Sequence, residues 1–355
     1  MKFAQTDDLR IDHLRPLIPP AILMEEIPLD APQSNAVADA RVAIGNIIEG
    51  KDDRLIVVAG PCSVHDPEAA LDYARRLRAV AATLEQDMLV VMRTYFEKPR
   101  TALGWKGLIN DPKLDQSFAI NQGLRVARGF LRDVIAVGLP TGMEFLDPIS
   151  PQFMADMVAW GAIGARTTES QVHRGLASGL SMPVGFKNGT SGDVQIAVDA
   201  IRAAAEPHRF LSVTKQSAAA IVVTRGNSQC HVILRGGHSG PNYSEEHVAQ
   251  ASAALQKAGL RPAVMIDASH GNSGGDPARQ IPVVEEIARQ VTAGSRRVFG
   301  VMIESFLVDG RQDVVAGQPL VYGQSITDAC LGWERTEPLL GVLAAAVRAR
   351  RKMGR

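Results

Sequence analysis

The sequence predicts a (β/α)8 barrel with an N-terminal extension and an inserted β-hairpin. Eight short apolar runs, each as long as a buried parallel strand, are followed by a polar or reactive residue. Successive strand ends such as Glu144, Arg166 and Lys187 are separated by one tight turn, one helix and one strand. The runs are Leu55–Gly60, Met88–Met92, Thr141–Met143, Gly161–Ala165, Pro183–Phe186, His231–Leu234, Ala263–Ile266 and Val298–Ile303. Such a barrel brings the carboxyl ends of its strands to one face, where its active site lies.

The extension is residues 1–50, and the barrel is residues 51–355. Pro20 suits the first position of a short helix, and Pro32 is expected to end that segment. Apolar residues then recur with helical spacing over Ala36–Ile48.

The hairpin is predicted from the long interval between Lys187 and Arg235, which exceeds what one helix and one strand need. Two strand-like runs lie in it, at Phe210–Thr214 and Ala218–Thr224. They place an inserted hairpin at about 210–230, on the outside of the barrel.

Composition excludes several classes of protein. The 38 basic and 38 acidic residues balance, which argues against a nucleic-acid-binding surface. Three cysteines are too few for a disulfide framework and favour a reducing, cytoplasmic location. The N-terminus lacks the pattern of a secretion signal, and no apolar run approaches the length of a membrane span, so no membrane partner is expected.

Four of the strand-end and loop residues have the chemistry of metal ligands: Cys62, His270, Glu304 and Asp328. One sulfur, one nitrogen and two carboxylates suit a divalent transition metal with an open coordination position. Two of them have an alternative explanation, since a lone cysteine is often a small buried hydrophobe and Asp328 could begin a helix. His270 and Glu304 are harder to explain in this way, because burial of an unpaired charge is costly. The pattern does not choose between manganese, iron, zinc and cobalt.

A second set is cationic: Arg93, Lys98, Arg100, Arg166, Lys187 and Arg235. Part of this charge could pair with Glu144, Glu304 and Asp328 in a structural network. The excess of cations favours anionic substrates instead, because a guanidinium matches phosphate and carboxylate oxygens. Cations beside a metal suggest two phosphorylated small molecules, one of which carries an aldehyde or similar electrophile.

Long motifs support a resemblance to a known family. They are GPCSVHDP, MRTYFEKPRTALGWKGLINDP, GAIGARTTESQVHR, PVGFKNGT, HVILRGG, PNYS, DASHGNS, VMIES and YGQSITDAC. Over nearly its whole length the chain resembles the feedback-regulated type I 3-deoxy-D-arabino-heptulosonate 7-phosphate (DAHP) synthases. The resemblance implies a metal-dependent condensation of phosphoenolpyruvate with erythrose 4-phosphate, with release of phosphate, as the first step of the shikimate pathway.

The resemblance also assigns roles. It makes Cys62, His270, Glu304 and Asp328 the metal ligands. It implies that phosphoenolpyruvate binds to Arg93, Lys98, Ala165, Arg166, Lys187 and Arg235, and that the phosphate of erythrose 4-phosphate binds to Arg100 and Thr101. Lys98 would also protonate the forming alcohol or orient the aldehyde, and Glu144 is the candidate for positioning the attacking water.

The resemblance also implies that the N-terminal extension and the hairpin serve oligomerisation and regulation, with inhibition by an aromatic amino acid in a homodimer or homotetramer. Asp7 and Asp8 of one subunit would meet a pocket on or beside a neighbouring subunit, formed by Pro151, Gln152, Leu176, Leu180, Ser181, Phe210, Ser212 and Val213. The sequence from Phe210 to Val213 most resembles that of phenylalanine-sensitive members, so phenylalanine is favoured as effector, with tyrosine next. The chain departs from the family pattern at residues 238–240 and 274–276, which leaves the metal and phosphate residues unchanged.

Two other functions fit the same residues less well. One is the related synthase that uses arabinose 5-phosphate, against which the sequence Lys98–Thr101 argues. The other is a barrel without catalysis that senses a metabolite, although such a protein would not need all four metal ligands.

Overall fold

The computed structural model describes residues 4–98, 104–315 and 317–354. Eight parallel strands in this part of the chain close into a barrel in the order β1-β2-β3-β4-β5-β8-β9-β10, with β10 pairing back to β1. The barrel strands are β1 Leu55–Gly60, β2 Met88–Arg93, β3 Thr141–Glu144, β4 Trp160–Ile163, β5 Val184–Lys187, β8 His231–Leu234, β9 Val264–Asp267 and β10 Val298–Phe306. Strands β6 Arg209–Val213 and β7 Ala219–Val223 form a separate sheet, and β11 Leu331–Gly332 extends β10. The predicted fold class is confirmed.

Helices connect the strands around the outside. Their bounds are α1 Pro20–Glu26, α2 Ala31–Glu49, α3 Pro67–Thr83, α4 Ile120–Val137, α5 Pro151–Met154, α6 Gln171–Ala177, α7 Gln195–Ala204, α8 Glu245–Lys257, α9 His270–Ser273, α10 Gln280–Thr292 and α11 Trp333–Met353. None of the described helices combines the length and apolar character needed to cross a bilayer.

The barrel sheet has a hydrophobic core on each of its two faces, because successive side chains of a strand point to opposite faces. All six residues of β1 are buried. Ile56 and Val58 belong to a cluster with Val91, Met265 and Met302, which is the barrel interior. The intervening side chains of β1 pack against the surrounding helices in a second and larger cluster.

Helix α2 closes the amino-terminal end of this interior. Its Ile44 and Ile47 are 0% and 1% exposed and belong to the same cluster as the inward-facing strand residues. The helix begins at Ala31, before the predicted Ala36, because Asp30 forms a capping box with Gln33 and Pro32 occupies the first turn. Pro32 therefore starts this helix and does not end the preceding segment. The carboxyl half of the extension is thus packed as part of the barrel core.

The inserted hairpin lies where it was predicted. Strands β6 and β7 pair in antiparallel register, with Leu211 opposite Ile221. These two side chains are 78% and 70% exposed, so one face of the hairpin is an apolar surface.

Replacement of Ile44 by alanine tests whether α2 belongs to the barrel core. We expect Ile44→Ala to lower the free energy of unfolding by about 2–5 kcal/mol, because it leaves a cavity against the inward-facing strand residues. Val42 lies on the same helix and is 63% exposed. The control Val42→Ala should change the free energy by less than about 0.5 kcal/mol. Urea titration followed by circular dichroism makes the comparison, and equal effects of the two substitutions would contradict the packing.

Candidate active site

A cavity of about 400 Å³ lies at the carboxyl ends of the barrel strands. Its walls contain most of the residues that the sequence selected: Arg93, Lys98, Glu144, Ala165, Arg166, Lys187, Arg235, His270 and Asp328. Thr190, His238 and several glycines complete the rim. The structure therefore brings five of the six predicted cations and part of the predicted metal set into one pocket.

The strands reach further into this pocket than the sequence indicated. Arg93, Glu144 and Lys187 are the last residues of their strands and do not follow them. Glu304 lies within β10, which continues to Phe306 because β11 pairs with its end. Asp328 precedes β11 in a bend and does not begin a helix.

Three of the four expected metal ligands form a compact group of donors. One ligand atom from each of Cys62, Glu304 and Asp328 lies within 4.8 Å of the other two. His270 borders the group, with its Nε2 3.6 Å from Glu304 Oε1. A thiol, two carboxylates and an imidazole at this spacing fit a divalent transition metal.

Lys98 is placed against the same group. Its Nζ lies 2.9 Å from Cys62 Sγ and 2.7 Å from Asp328 Oδ2. Burial raises the pKa of the Cys62 thiol, and the nearby carboxylate of Glu304 raises it further. Burial would also raise the pKa of Asp328, but the Lys98 ammonium holds it below its usual range. The thiol and the carboxylates lie so close together that their negative charge must be balanced by a neighbouring cation, here the Lys98 ammonium.

Several contacts fix Arg93 at the inner end of the active-site cavity. Its guanidinium forms a buried ion pair with Glu304 at 2.9 Å and donates to the carbonyls of Pro61 and Cys62. It also stacks on the Tyr95 ring, 3.5 Å from the ring centroid. These contacts fix the orientation of Glu304. Arg93 therefore positions one member of the donor group as well as lining the pocket.

Arg166 and Arg235 differ from Arg93 because neither forms an ion pair with a described carboxylate. Asn188 orients the Arg235 segment by accepting a hydrogen bond from its backbone N–H at 2.8 Å. Burial lowers the pKa of Arg235; the charge of Asp267 opposes this shift, and the charge of Arg166 adds to it. Two neighbouring guanidiniums that no described carboxylate pairs with directly form an anion-binding position.

Asp267 is a residue of the pocket that the sequence did not single out. It is fully buried, and its Oδ2 lies 2.8 Å from Lys187 Nζ and 2.9 Å from His270 Nδ1. Burial would raise the pKa of this carboxyl, but Lys187 and His270 hold it well below its usual range. One carboxylate oxygen thus orients both a substrate-facing cation and an expected metal ligand. The signal was available, since Asp267 ends a buried strand three positions before His270.

Other predicted residues fall elsewhere. Arg100 and Thr101 lie outside the described residues. A second cavity of about 400 Å³, under the hairpin and α6, contains six of the expected effector residues: Pro151, Gln152, Leu176, Leu180, Ser181 and Phe210. Ser212 and Val213 lie beside it on β6, and Ser212 Oγ donates to the Pro148 carbonyl. Asp7 and Asp8 are exposed and do not line it.

This second cavity, which we call the effector cavity after the expected role of its residues, also contains polar residues that were not predicted. Arg41, Asp156 and Lys215 all line it. Lys215 Nζ donates a hydrogen bond to the Gln152 carbonyl. A charged wall beside apolar residues suits a ligand with both a ring and ionic groups.

A closed barrel whose pocket holds a cluster of cations, two of them without an ion pair, beside a group of possible metal donors is typical of one class of enzyme: metal-dependent enzymes that act on small anionic substrates. Comparison with known proteins specifies the family. The DAHP synthetase I family profile matches residues 26–340. The chain therefore belongs to the DAHP synthetase I family.

Individual relatives agree. The chain is 57% identical over 347 residues to the Phe-sensitive phospho-2-dehydro-3-deoxyheptonate aldolase of Escherichia coli K12, covering 98% of this chain and 99% of that protein. It is 54% identical to the tyrosine-inhibited enzyme of Schizosaccharomyces pombe, covering 98% and 94%. The solved structure of the phospho-2-dehydro-3-deoxyheptonate aldolase of Francisella tularensis SCHU S4 matches with a TM-score of 0.94 and 54% identity, covering 96% and 99%. The family and the synthase activity expected from the sequence are confirmed.

The orientation of His270 by Asp267 gives a testable prediction. Asp267→Asn removes the charge that fixes the ring and Lys187, so we expect metal affinity to fall about 10–100-fold. Equilibrium dialysis with Mn²⁺ measures this without any assay of activity. Asp276→Asn, at an exposed position in the following loop, is the matched control and should bind Mn²⁺ like the unmodified protein. Unchanged affinity in the Asp267 variant would show that Asp267 does not position His270.

Proposed function

We propose that the active-site cavity is where the chain condenses phosphoenolpyruvate with erythrose 4-phosphate. The observation that carries this assignment is the pairing of two unmatched guanidiniums, Arg166 and Arg235, with the donor group of Cys62, Glu304 and Asp328 in one place. The guanidiniums and Lys187 would hold the phosphate and carboxylate of phosphoenolpyruvate, with the Ala165 backbone beside them. Arg93 and Lys98 complete this cationic wall.

The four residues Cys62, His270, Glu304 and Asp328 would hold one divalent ion, of manganese, iron, cobalt or zinc. When bound, the ion polarises the aldehyde oxygen of erythrose 4-phosphate. Arg100 and Thr101 remain the proposed partners of the phosphate of that substrate.

The remaining steps use side chains of the chain itself. The cations hold phosphoenolpyruvate with its enol carbon towards the aldehyde, and a carbon–carbon bond forms between them. Lys98, already within 2.7 Å of Asp328, gives a proton to the forming alcohol oxygen. Positive charge then develops on the carbon that bears the phosphate, and a water held by Glu144 adds there and gives one proton to that carboxylate. The hemiketal phosphate collapses: its hydroxyl proton passes to the departing phosphate, the C–O bond to phosphate breaks, and the ketone forms.

We also propose feedback inhibition at the effector cavity. Its ring-sized apolar wall of Leu176, Leu180 and Phe210 suits an aromatic side chain. Asp7 and Asp8 from a second copy would meet the ammonium group, which requires a homodimer or homotetramer. The exposed apolar face of Leu211 and Ile221 supports such an assembly. Phenylalanine is the favoured effector, with tyrosine next, and the three free cysteines fit a cytoplasmic setting.

Loss of the thiol tests the metal assignment. We expect Cys62→Ala to reduce kcat at least about 100-fold, because polarisation of a carbonyl by a metal contributes several kcal/mol to the rate. Phosphate release with both substrates, after chelation and restoration of one metal, is the measurement. Cys230→Ala is the control, since Cys230 lies outside the pocket, and it should retain activity. A fully active Cys62 variant would exclude the thiol from the metal site.

A bulky residue at position 181 tests the effector cavity. Ser181 is exposed and lines that cavity, so Ser181→Trp should fill it without disturbing the fold. We expect inhibition by phenylalanine to weaken at least about ten-fold while kcat is kept. Ser34→Trp, at an exposed position on α2, should leave inhibition as it is. Inhibition that persists in the Ser181 variant would place the effector elsewhere.

A further inference from the structure

The amino-terminal end of the barrel, opposite the active site, carries a cavity of its own. About 260 Å³ is enclosed between the end of α2, the chain that enters β1 and β10, and α11. We call this the floor cavity; it is lined by Asp53, Arg54, Arg261, Arg296, Phe299 and Arg350, among others. Neither the expected active site nor the effector cavity includes these arginines.

The floor cavity has an excess of positive charge. Each of its three carboxylates is already matched by a cation: Glu49 by Lys51 at 2.5 Å, Asp52 by Arg54 at 2.7 Å and Asp53 by Arg351 at 2.6 Å. Three further guanidiniums line the cavity without an ion pair to any described carboxylate: Arg261, Arg296 and Arg350. In a chain whose net charge is zero, this is a marked local surplus.

Arg350 shows that the surplus is built into the fold. The residue is only 6% exposed, and its Nε is buried without a hydrogen-bond partner. One terminal nitrogen donates to the Asp53 carbonyl. Burial lowers the pKa of Arg350; the charge of Asp53 opposes this shift, and the charges of Arg296 and Arg351 add to it. A buried guanidinium with an unused donor is costly unless an anion meets it.

Arg261 joins this charge to an apolar space. Its NH1 donates to the Ile47 carbonyl at 2.7 Å, and its guanidinium lies 6.0 Å from the Phe299 ring centroid. An adjoining lobe of about 290 Å³ shares Arg261, Phe299 and Glu49 with the floor cavity. Its other walls are largely apolar and include Ile201, Cys230, Val232, Leu255 and Leu260.

We propose that the floor cavity and its apolar lobe form a binding site for a small aryl carboxylate. The carboxylate would lie against Arg261, Arg296 and Arg350, where a planar guanidinium can bind both oxygens. The ring would enter the lobe beside Phe299. The arginines of the floor cavity fit an anionic group, and the adjoining lobe fits an apolar one.

Phenylacetate is a suitable probe, used with the full-length protein saturated with phosphoenolpyruvate and phenylalanine. These two compounds occupy the phosphoenolpyruvate site and the effector cavity, and the Arg296 variant then tells binding in the floor cavity from binding at the phosphate position of erythrose 4-phosphate. We expect Arg296→Met to weaken phenylacetate binding about ten-fold or more, as expected for loss of a charged hydrogen bond. Arg297→Met is the matched control, because Arg297 is exposed like Arg296 but does not line the floor cavity, and binding should be unchanged.

A second variant tests the apolar lobe without removing charge. Cys230→Phe fills the lobe, and we expect it to abolish phenylacetate binding while phosphoenolpyruvate still binds. Inorganic phosphate, which lacks an apolar body, should bind at least about ten-fold more weakly than phenylacetate. The proposal is overturned if phenylacetate does not bind, if the Arg296 and Arg297 variants bind it equally, if the Cys230 variant still binds it, or if phosphate binds as tightly.

Discussion

Burial of charge is the constraint on which the active site depends. Glu304 and Asp267 are both 0% exposed, and a carboxylate that far from water must be met by cations. Arg93 meets the first at 2.9 Å, and Lys187 meets the second at 2.8 Å. The two carboxylates also lie 3.6 Å and 2.9 Å from the two ring nitrogens of His270, which fixes the direction of that ring. The pocket is therefore organised before any substrate enters it.

The barrel supplies this organisation through its strand register. Gly60 of β1 pairs with Glu304 of β10, which places the loop carrying Cys62 beside the buried carboxylate. Met302 of β10 pairs with Asp267 of β9, so the second carboxylate stands next to the first. Because parallel strands end together, residues distant in sequence become neighbours at one rim. The same geometry leaves the opposite end of the barrel free for the cluster of arginines around Arg350.

Much of this could be predicted from the sequence, for physical reasons. Short apolar runs and their polar ends are local patterns, so the strands and the cations at their ends, such as Arg93 and Lys187, were predictable. The role of Asp267 was not, because it depends on which side chains from β5 and β9 meet across the barrel. The start of α2 was misjudged because a proline either ends one segment or begins a helix, and only the capping by Asp30 decides. The charged wall of the effector cavity likewise depends on contacts between distant elements.

The central claim is that one divalent ion binds among Cys62, His270, Glu304 and Asp328. A crystal of the protein soaked with Mn²⁺ and measured near the manganese absorption edge tests this most directly, because anomalous scattering locates the ion without reference to activity. The account predicts one strong peak within bonding distance of Cys62 Sγ, His270 Nε2 and both carboxylates. A peak that lies away from Cys62 and His270 would contradict it. In that case Cys62 and Asp328 would still contact Lys98, His270 would still contact Asp267, and Glu304 would still pair with Arg93.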